Sequence, residues 1–577
     1  MQIRKIRFQW LLFAFLAFMA GGLFHSPGQA DWKDDVGYTR LAAELGGALP
    51  DGAGLTVSQV EAAVAVGGDY TWMPDPSNSA FSGKTISDRS GAPSGIYSGH
   101  ATSVGRLLYG NTTSMAGGID EIDVFYAGHW LSYGYLYFAY SRQPIYTVCR
   151  VANHSWVGSM NTCEETSDVL RRLDWVVDRD EFVQTVGLTN SASTAKPLLA
   201  SAFNVIAVGR TDGSHSRGTA AVDSLYVGGR TRPDIVAPLT RTSYTAPVGG
   251  GAAALLIQAG HGDPSLSTDP VETYATNRYG QVVYNAERAE VIRAALMAGA
   301  DRFTDNSTAA DIGDYRLNGE HLSENGLDVR YGAGQLNVYE SYRIIAAGEQ
   351  NNLQDGGSGV MGDAGFDYDP AFGGDGCNDT ATYRFTADAS HNLLAVALVW
   401  HIRIDGGTTN AFDGTAELYD LNLELYDITQ GRVVNRSDSG VDNSEHLHAA
   451  LVPGHLYEIR VEESQSQAFS WDYALAWTGR ADADRDLIPD ETDNCRLTAN
   501  TRQIDSDEDG YGNFCDCDLD NNGMVDGGDF QRWRLFATID PQSDCWVEAI
   551  DFNGNGMADI EDYTIFQSRY GQTAPFE

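Results

Sequence analysis

The stretch RTSYTAPVGGGAAALLIQAG, residues 241–260, constrains the fold more than any other. It reads as a helix of small residues. Gly249, Gly250 and Gly251 carry no bulk, so the helix can lie very close against a core. Ser243 stands near its start, ahead of a Pro expected in the first turn, where N–H groups lack intrahelical partners and Pro is tolerated. Those free N–H groups and the helix dipole favour negative charge beside Ser243. An ordinary helix N-cap is the plainer use of a serine at such a point.

The chain has 577 residues, enough for several domains. Its first 30 residues read as a secretory signal: Arg4, Lys5 and Arg7, then WLLFAFLAFMAGGLF, then the small-residue stretch SPGQA. The apolar run falls short of the ~20 residues a membrane span needs, and no later stretch suffices. The expected product is a soluble protein, secreted or held at the cell surface. Residues 51–350 alternate strand-like apolar runs with helical ones such as ERAEVIRAALMAGA, which implies an α/β domain with a largely parallel sheet. A Gly- and Asp-rich linker is expected near residues 354–376. Up to residue 480, runs such as NLLAVALVWHI, DLNLELYD and LYEIRVEES alternate like an antiparallel β-sandwich.

The net charge is −41, which makes nucleic acid an unsuitable partner. Residues 481–577 carry 23 acids against 6 arginines. Density of this kind ordinarily implies disorder, but the acids are regularly spaced. Asp482, Asp484, Asp486, Asp490 and Asp493 precede Cys495, and Asp505, Asp507 and Asp509 precede Cys515. Two further loops place Asp518, Asp520, Asn522, Asp526 and Asp529, and Asp551, Asn553, Asn555, Asp559 and Asp562, at positions 1, 3, 5, 9 and 12, with Gly at 6. Oxygen donors so spaced around a sharp turn suit Ca2+. The seven cysteines leave at least one unpaired within the chain, and connectivity is not readable from sequence. Cys149–Cys163 and Cys495–Cys515 are the preferred pairs.

Residues 241–260 resemble the T-S-x-A-T-P-x-V-A-G-A-A-A signature of subtilisin-like serine peptidases, the subtilases. SGHATSVGRLLYG, residues 98–110, resembles their histidine box, with Ala101 in place of a glycine and Ser103 in place of a second histidine. GAGLTVSQVEAAV resembles the strand that carries their acid and puts Glu61 there instead of Asp; Asp69 is the alternative after a shifted turn. VANHSWVGS, with Asn153 and Ser155, resembles the strand lining their cleft. FVQTVGLTNSAS makes Asn190 the candidate oxyanion donor, and NVIAVGRTDG and GRTRPDIVAP match further family strands. His154 and His215 are read as structural. The resemblance covers roughly residues 45–345 and implies a Glu61–His100–Ser243 triad.

The implied fold is α/β: a subtilisin-like, largely parallel sheet with helices on both faces over residues 31–350. A jelly-roll-like sandwich over 351–480 and small calcium-binding modules follow. Residues 481–516 resemble thrombospondin type 3 repeats, with Leu487 where glycine is usual. Residues 517–577 resemble a dockerin, a paired calcium module that binds a cohesin partner. Its helices carry Phe530, Trp533, Phe536, Tyr563, Phe566 and Tyr570, more aromatics than so small a module can bury. The expected activity is endopeptidase hydrolysis of a protein or peptide substrate. The competing expectation is a weak or inactive subtilase-like scaffold that adheres through calcium, motivated by Glu61, Ala101 and Ser103.

Overall fold

The computed structural model describes residues 32–193, 195–302, 321–374, 378–464, 469–501, 503–505, 510–539, 548–553 and 555–574. The signal-like segment, Asp507, Asp509, Cys377 and Cys545 lie outside the described residues.

Strand β1, Thr56–Glu61, is buried along almost its whole length, as a strand inside a parallel sheet with both faces covered must be. It belongs to a seven-stranded sheet with β2 (Thr85–Asp88), β3 (Glu121–Tyr126), β4 (Val151–His154), β5 (Val183–Gly187), β6 (Ile206–Arg210) and β7 (Ile235–Ala237). The order is β2-β3-β1-β4-β5-β6-β7, every pair parallel. Alternate residues serve two cores. Val57, Val151, Val183 and Val208 face one; Val60, Ala152, Val186 and Ala207 face the other. Helices cover both faces. α1 (Gly99–Leu108), α3 (Thr242–Gly262), α4 (Ala289–Ala298) and α5 (Val338–Ala346) contribute to the first core and α2 (Cys163–Asp180) to the second.

The glycines of α3 do unequal jobs. A Cβ on Gly249 would stand 2.9 Å from Val208 Cγ2, and one on Gly250 would stand 3.0 Å from Leu108 Cδ1 and Thr185 Oγ1. Gly251 leaves ordinary contact distance, 3.8 Å. Two glycines, not three, thus let α3 seat between the sheet and α1. Ahead of β1, a short helix, Tyr38–Leu45, rests on α5, and the Val338 N–H donates to Val36 O at 2.8 Å.

The sandwich contains β8 (Ala364–Phe372), β9 (Thr380–Thr386), β10 (Leu393–Val399), β11 (Leu421–Asp427), β12 (Arg432–Ser437), β13 (Ser444–Ala450), β14 (Leu456–Glu463) and β15 (Trp471–Arg480). They form two four-stranded antiparallel sheets, β8-β15-β10-β13 and β9-β14-β11-β12. Leu398, Trp400, Leu423, Ile459, Leu475 and Trp477 fill the space between them. The expected linker is corrected here. Residues 364–372 are strand β8, whose Phe366 and Tyr368 are buried with α4 and α5 while Asp367 accepts from the Tyr383 hydroxyl at 2.7 Å. The Asp and Gly content hid a period-two alternation. Ala397, Val399, Ala474 and Ala476 join the same core, so the first sheet is covered by helices on its outer face.

The acidic tail is built differently. Residues 481–516 have no helix or strand among the described residues and are stapled by Cys495–Cys515. Cys149 and Cys163 are not joined: Cys149 is buried and Cys163 exposed. The reason is topological. Cys149 precedes the amino end of β4, whereas Cys163 opens α2 beyond its carboxyl end. Helices α6 (Gly527–Phe536) and α7 (Ile560–Arg569) follow the two paired loops and close over Cys517, Val525, Phe552 and Phe566. No helix among the described residues is long and apolar enough to cross a membrane.

Candidate active site and acidic loops

Glu61 ends β1 and His154 ends β4. After β1 the chain builds β2 and β3 on one side, then continues from β4 on the other. The carboxyl ends of β1 and β4 therefore flank the point where strand order reverses, the usual ligand crevice of an open α/β sheet.

His100 is the second residue of α1, whose first turn is capped by Ser98 Oγ accepting from the Ala101 N–H at 3.1 Å. Its Nδ1 lies 2.8 Å from Glu61 Oε2. The Glu61 carboxylate is buried and held on its other oxygen, where Oε1 accepts from Gln59 Nε2 at 2.8 Å. Gln59 also donates to Ala101 O at 2.8 Å and accepts from the Tyr109 hydroxyl at 2.6 Å. Burial works against the His100 imidazolium, but the hydrogen bond and charge of Glu61 outweigh it. The pKa is raised above 6.5 despite the opposing charge of Arg241. Asp69, the alternative acid, is exposed in a hairpin of Val64–Val66 with Asp69–Thr71. Gln59 and Tyr109 were missed from the sequence. The available signal was a polar residue two places before the acid, hence on the same face of a buried strand.

Ser243 is the second residue of α3. The Thr242 N–H donates to Asn190 Oδ1 at 2.8 Å, and the Tyr244 and Thr245 N–H groups donate to Arg241 O at 2.9 and 3.0 Å. The Ser243 N–H is left without an acceptor among the described residues. Pro247 is inside the helix, not in its first turn as expected. It lacks the N–H that Ser243 O would otherwise accept from, and Ser155 Oγ donates there instead at 2.9 Å. Asn153 Nδ2 in turn donates to Ser155 Oγ at 2.9 Å. The proline thus explains why the end of β4 is stitched to the turn bearing Ser243. Tyr244, next in the chain, has its ring 6.5 Å from the His100 ring. This places Glu61, His100, Ser243 and Asn190 around one crevice. No hydrogen bond joins Ser243 to His100 among the described contacts; such bonds often form only with substrate in place. His154 and His215 are buried and their pKa values are lowered to about 4 by burial, each with both ring nitrogens held: His154 by Gln184 and the Trp156 indole N–H, His215 by Arg330 O and the Arg210 N–H.

In the tail, carboxylate oxygens of Asp482, Asp484 and Asp486 lie within 4.8 Å of one another, as do those of Asp518, Asp520 and Asp529. Asp490 and Asp493 close the first group: Asp490 accepts from Ala483 N and Asp493 from Cys495 N, at 2.7 and 2.8 Å. Asp505 accepts from the Gly510 N–H at 2.9 Å. The two paired loops are wired alike. The N–H groups of Gly523 and Gly556 donate to Asp518 and Asp551, and those of Asp520 and Asn553 to Asp529 and Asp562, at 2.5 to 3.1 Å. Asp526 and Asp559 cap α6 and α7, and the Asn522 and Asn555 side chains bond the second residue beyond them. Gly523 and Gly556 have φ of 88° and 86°, which residues with a Cβ adopt at a cost. Leu487 adopts the same left-handed region, φ 79°, where a glycine is usual. Of the six tail aromatics, Phe566 is buried, and Phe530 and Trp533 pack against Tyr563 across the helix pair with tilted rings 5.9 and 5.6 Å apart. The apolar side chains left outside are Tyr570 and the aliphatic Leu535, Ile560, Met524 and Met557.

No family model matches the sequence, and no curated protein matches it. Among solved structures, an alanine mutant of the protease domain of PatA is 14% identical, covering 52% of this chain and 98% of that one, with a TM-score of 0.32. The serine protease of Aeromonas sobria with its chaperone is 12% identical over 74% of this chain and 89% of that one, TM-score 0.29. The PatG macrocyclase in complex with peptide is 15% identical over 51% and 92%, TM-score 0.31. At such scores the assignment stands on this chain's own strand order and side chains.

Proposed function

We propose that the chain is a secreted, subtilisin-like serine endopeptidase whose tail binds calcium. The observation that carries the reading is the bond between buried Glu61 and His100 Nδ1, 2.8 Å, beside the helix that Ser243 opens. Glu61 would fix the tautomer that leaves His100 Nε2 free to take the Ser243 proton as Oγ attacks the scissile carbonyl. The unpartnered Ser243 N–H would donate to the developing oxyanion. Asn190 would join it through Nδ2, its Oδ1 being turned toward Thr242. Each donor is worth about 3–4 kcal/mol in comparable enzymes.

Calcium suits the tail because its donors are hard oxygens and two of them, Asp484 Oδ2 and Asp520 Oδ1, are buried without a hydrogen-bond partner. Asp482, Asp484, Asp486, Asp490 and Asp493 would hold one ion, Asp518, Asp520, Asn522 and Asp529 another, and Asp551, Asn553, Asn555 and Asp562 a third. Ion binding would add directly to the stability of a region with little apolar core. The exposed Leu535, Ile560 and Tyr570 would serve a docking face for a cohesin-like or other surface protein on this module.

The second reading, a weak or inactive scaffold, is favoured by Ser103, which stands where the family box carries a second histidine and whose hydroxyl donates to Gly99 O at 3.0 Å. A fluorophosphonate probe separates the two. Labelling at Ser243, lost in Ser243→Ala together with peptide hydrolysis (kcat down on the order of 10^6-fold), supports the peptidase. Folded protein that takes no label supports the scaffold.

A further inference from the structure

Where the sandwich meets the α/β domain, three side chains from three elements converge. Asp178 comes from α2, Glu290 from the first turn of α4, and His401 from the loop after β10. One donor atom from each lies within 4.8 Å of the others. His401 and Glu290 are buried, and Asp178 is partly open, its side chain 20% exposed. Both ring nitrogens of His401 are buried without a hydrogen-bond partner, and so is Glu290 Oε2. Glu290 Oε1 stands 2.7 Å from Nδ1, but off the direction in which a ring N–H would point. Asp472 adds a third carboxyl group. Its Oδ1 is buried without a hydrogen-bond partner, its Oδ2 accepts from the Tyr368 hydroxyl, and burial with the charges of Glu290 and Asp178 pushes its pKa up to about 8.

The charges do not balance. The neighbouring guanidinium, Arg288, is already engaged by Glu181 and Glu272 at 2.8 and 2.6 Å. That leaves the carboxylates of Asp178 and Glu290 facing one imidazole. Buried carboxylates without compensation are costly, and a divalent cation would offset both the charge and the unpartnered atoms. The donor set selects the ion. Ca2+ and Mg2+ take oxygen ligands, whereas an imidazole with carboxylates suits zinc and its neighbours.

We propose that Asp178, Glu290 and His401 form a zinc-class metal site that joins the α/β domain to the sandwich. It is separate from the triad and from the oxygen-only loops of the tail. The ion would clip α2 and α4 to the loop after β10, with the exposed edge of Asp178 marking the way in.

The test uses the full chain, stripped of metal and then held in excess Ca2+ so that the tail loops are filled. Micromolar Zn2+ is added, unbound metal is removed, and zinc is counted by mass spectrometry. Co2+ in its place gives a visible d–d band whose intensity reports the coordination number of the site, strong for the four- or five-coordinate geometry expected here and weak for hydrated Co2+. One zinc per chain is expected, absent in His401→Gln and at least tenfold weaker in Asp178→Asn. If His401→Gln fails to fold, Asp178→Asn decides, because that side chain reaches the surface. A wild-type chain that retains no zinc would overturn the site in favour of a metal-free ion triad. Unchanged zinc in every folded variant would overturn it as well.

Discussion

Two regions follow the α/β domain, and they are attached by different physics. The sandwich shares its core: Phe366, Val399 and Ala476 are buried together with residues of α4 and α5. Polar bonds cross the same junction, from Arg293 to Asn443 Oδ1 and from Thr231 N to Asp442 Oδ1, at 3.3 and 3.0 Å. The tail shows much smaller attachments, the Arg40–Glu491 ion pair and the bond from Asp482 N to Asn392 Oδ1. Inside, among the described residues, it has one disulfide and a core centred on four buried residues. The difference teaches where stability resides: in apolar area for the sandwich and, on the proposed calcium reading, in bound ions for the tail.

The largest effect should fall in the apolar-built half. Glu61→Gln should lower kcat by about 10^3–10^4-fold, since a neutral partner no longer fixes the His100 tautomer. It should leave the tail's response to calcium unchanged. In the wild type, kcat/KM should rise through a pKa above 6.5, because Glu61 favours the imidazolium. In the variant that midpoint should fall, burial then acting unopposed by the carboxylate. The linkage has a definite sign. The pair's stabilising contribution is full below the unfolded His pKa near 6.5 and fades as pH rises through the folded value. A midpoint unmoved by Glu61→Gln would remove Glu61 from the assignment.

Chelation comes next and should separate the regions. At a thousandfold excess over Kd, each bound ion contributes about 4 kcal/mol. Removing calcium should abolish the circular dichroism of α6 and α7 and open residues 481–577 to proteolysis. The sandwich and α/β domain should go on melting together. Loss of both regions at once would break the comparison.

Trp477→Ala tests the other side. Trp477 is fully buried in the sandwich core, and its removal should cost about 3 kcal/mol or more. Calorimetry should show the α/β domain and sandwich shifting as one transition, with the calcium-dependent one in place. Smallest of all, Leu487→Gly relieves a left-handed residue and should stabilise the tail by about 1 kcal/mol, read as a higher melting point. A lower melting point would show that the Leu487 side chain matters more than its backbone.

The sequence was legible where chemistry imposes spacing. Both paired loops, the disulfide between Cys495 and Cys515 and the alternating strands of the sheet follow local rules. What was illegible needed the third dimension. Strand β8 reads as a linker in the sequence because Asp367 and Asp369 interrupt its apolar residues, and their polar partners come from elsewhere in the fold. Cys149 and Cys163 are near in sequence but sit at opposite ends of a strand and its crossover. Gln59 gains meaning only when Tyr109 and Ala101 arrive beside it, and Pro247 only when Ser155 supplies the missing donor.

The bond from Val338 N to Val36 O has a temporal side. Gln335 Nε2 also donates to Asp35 O, across 300 residues of chain. A ribosome adds about 5–20 residues per second, so about 15–60 seconds separate the synthesis of one partner from that of the other. During that interval Ser243 and His100 have already emerged, yet α5, which packs on α3, has not. The nascent chain holds its reactive groups without the helix that braces them, and the domain closes only when its last segment meets its first.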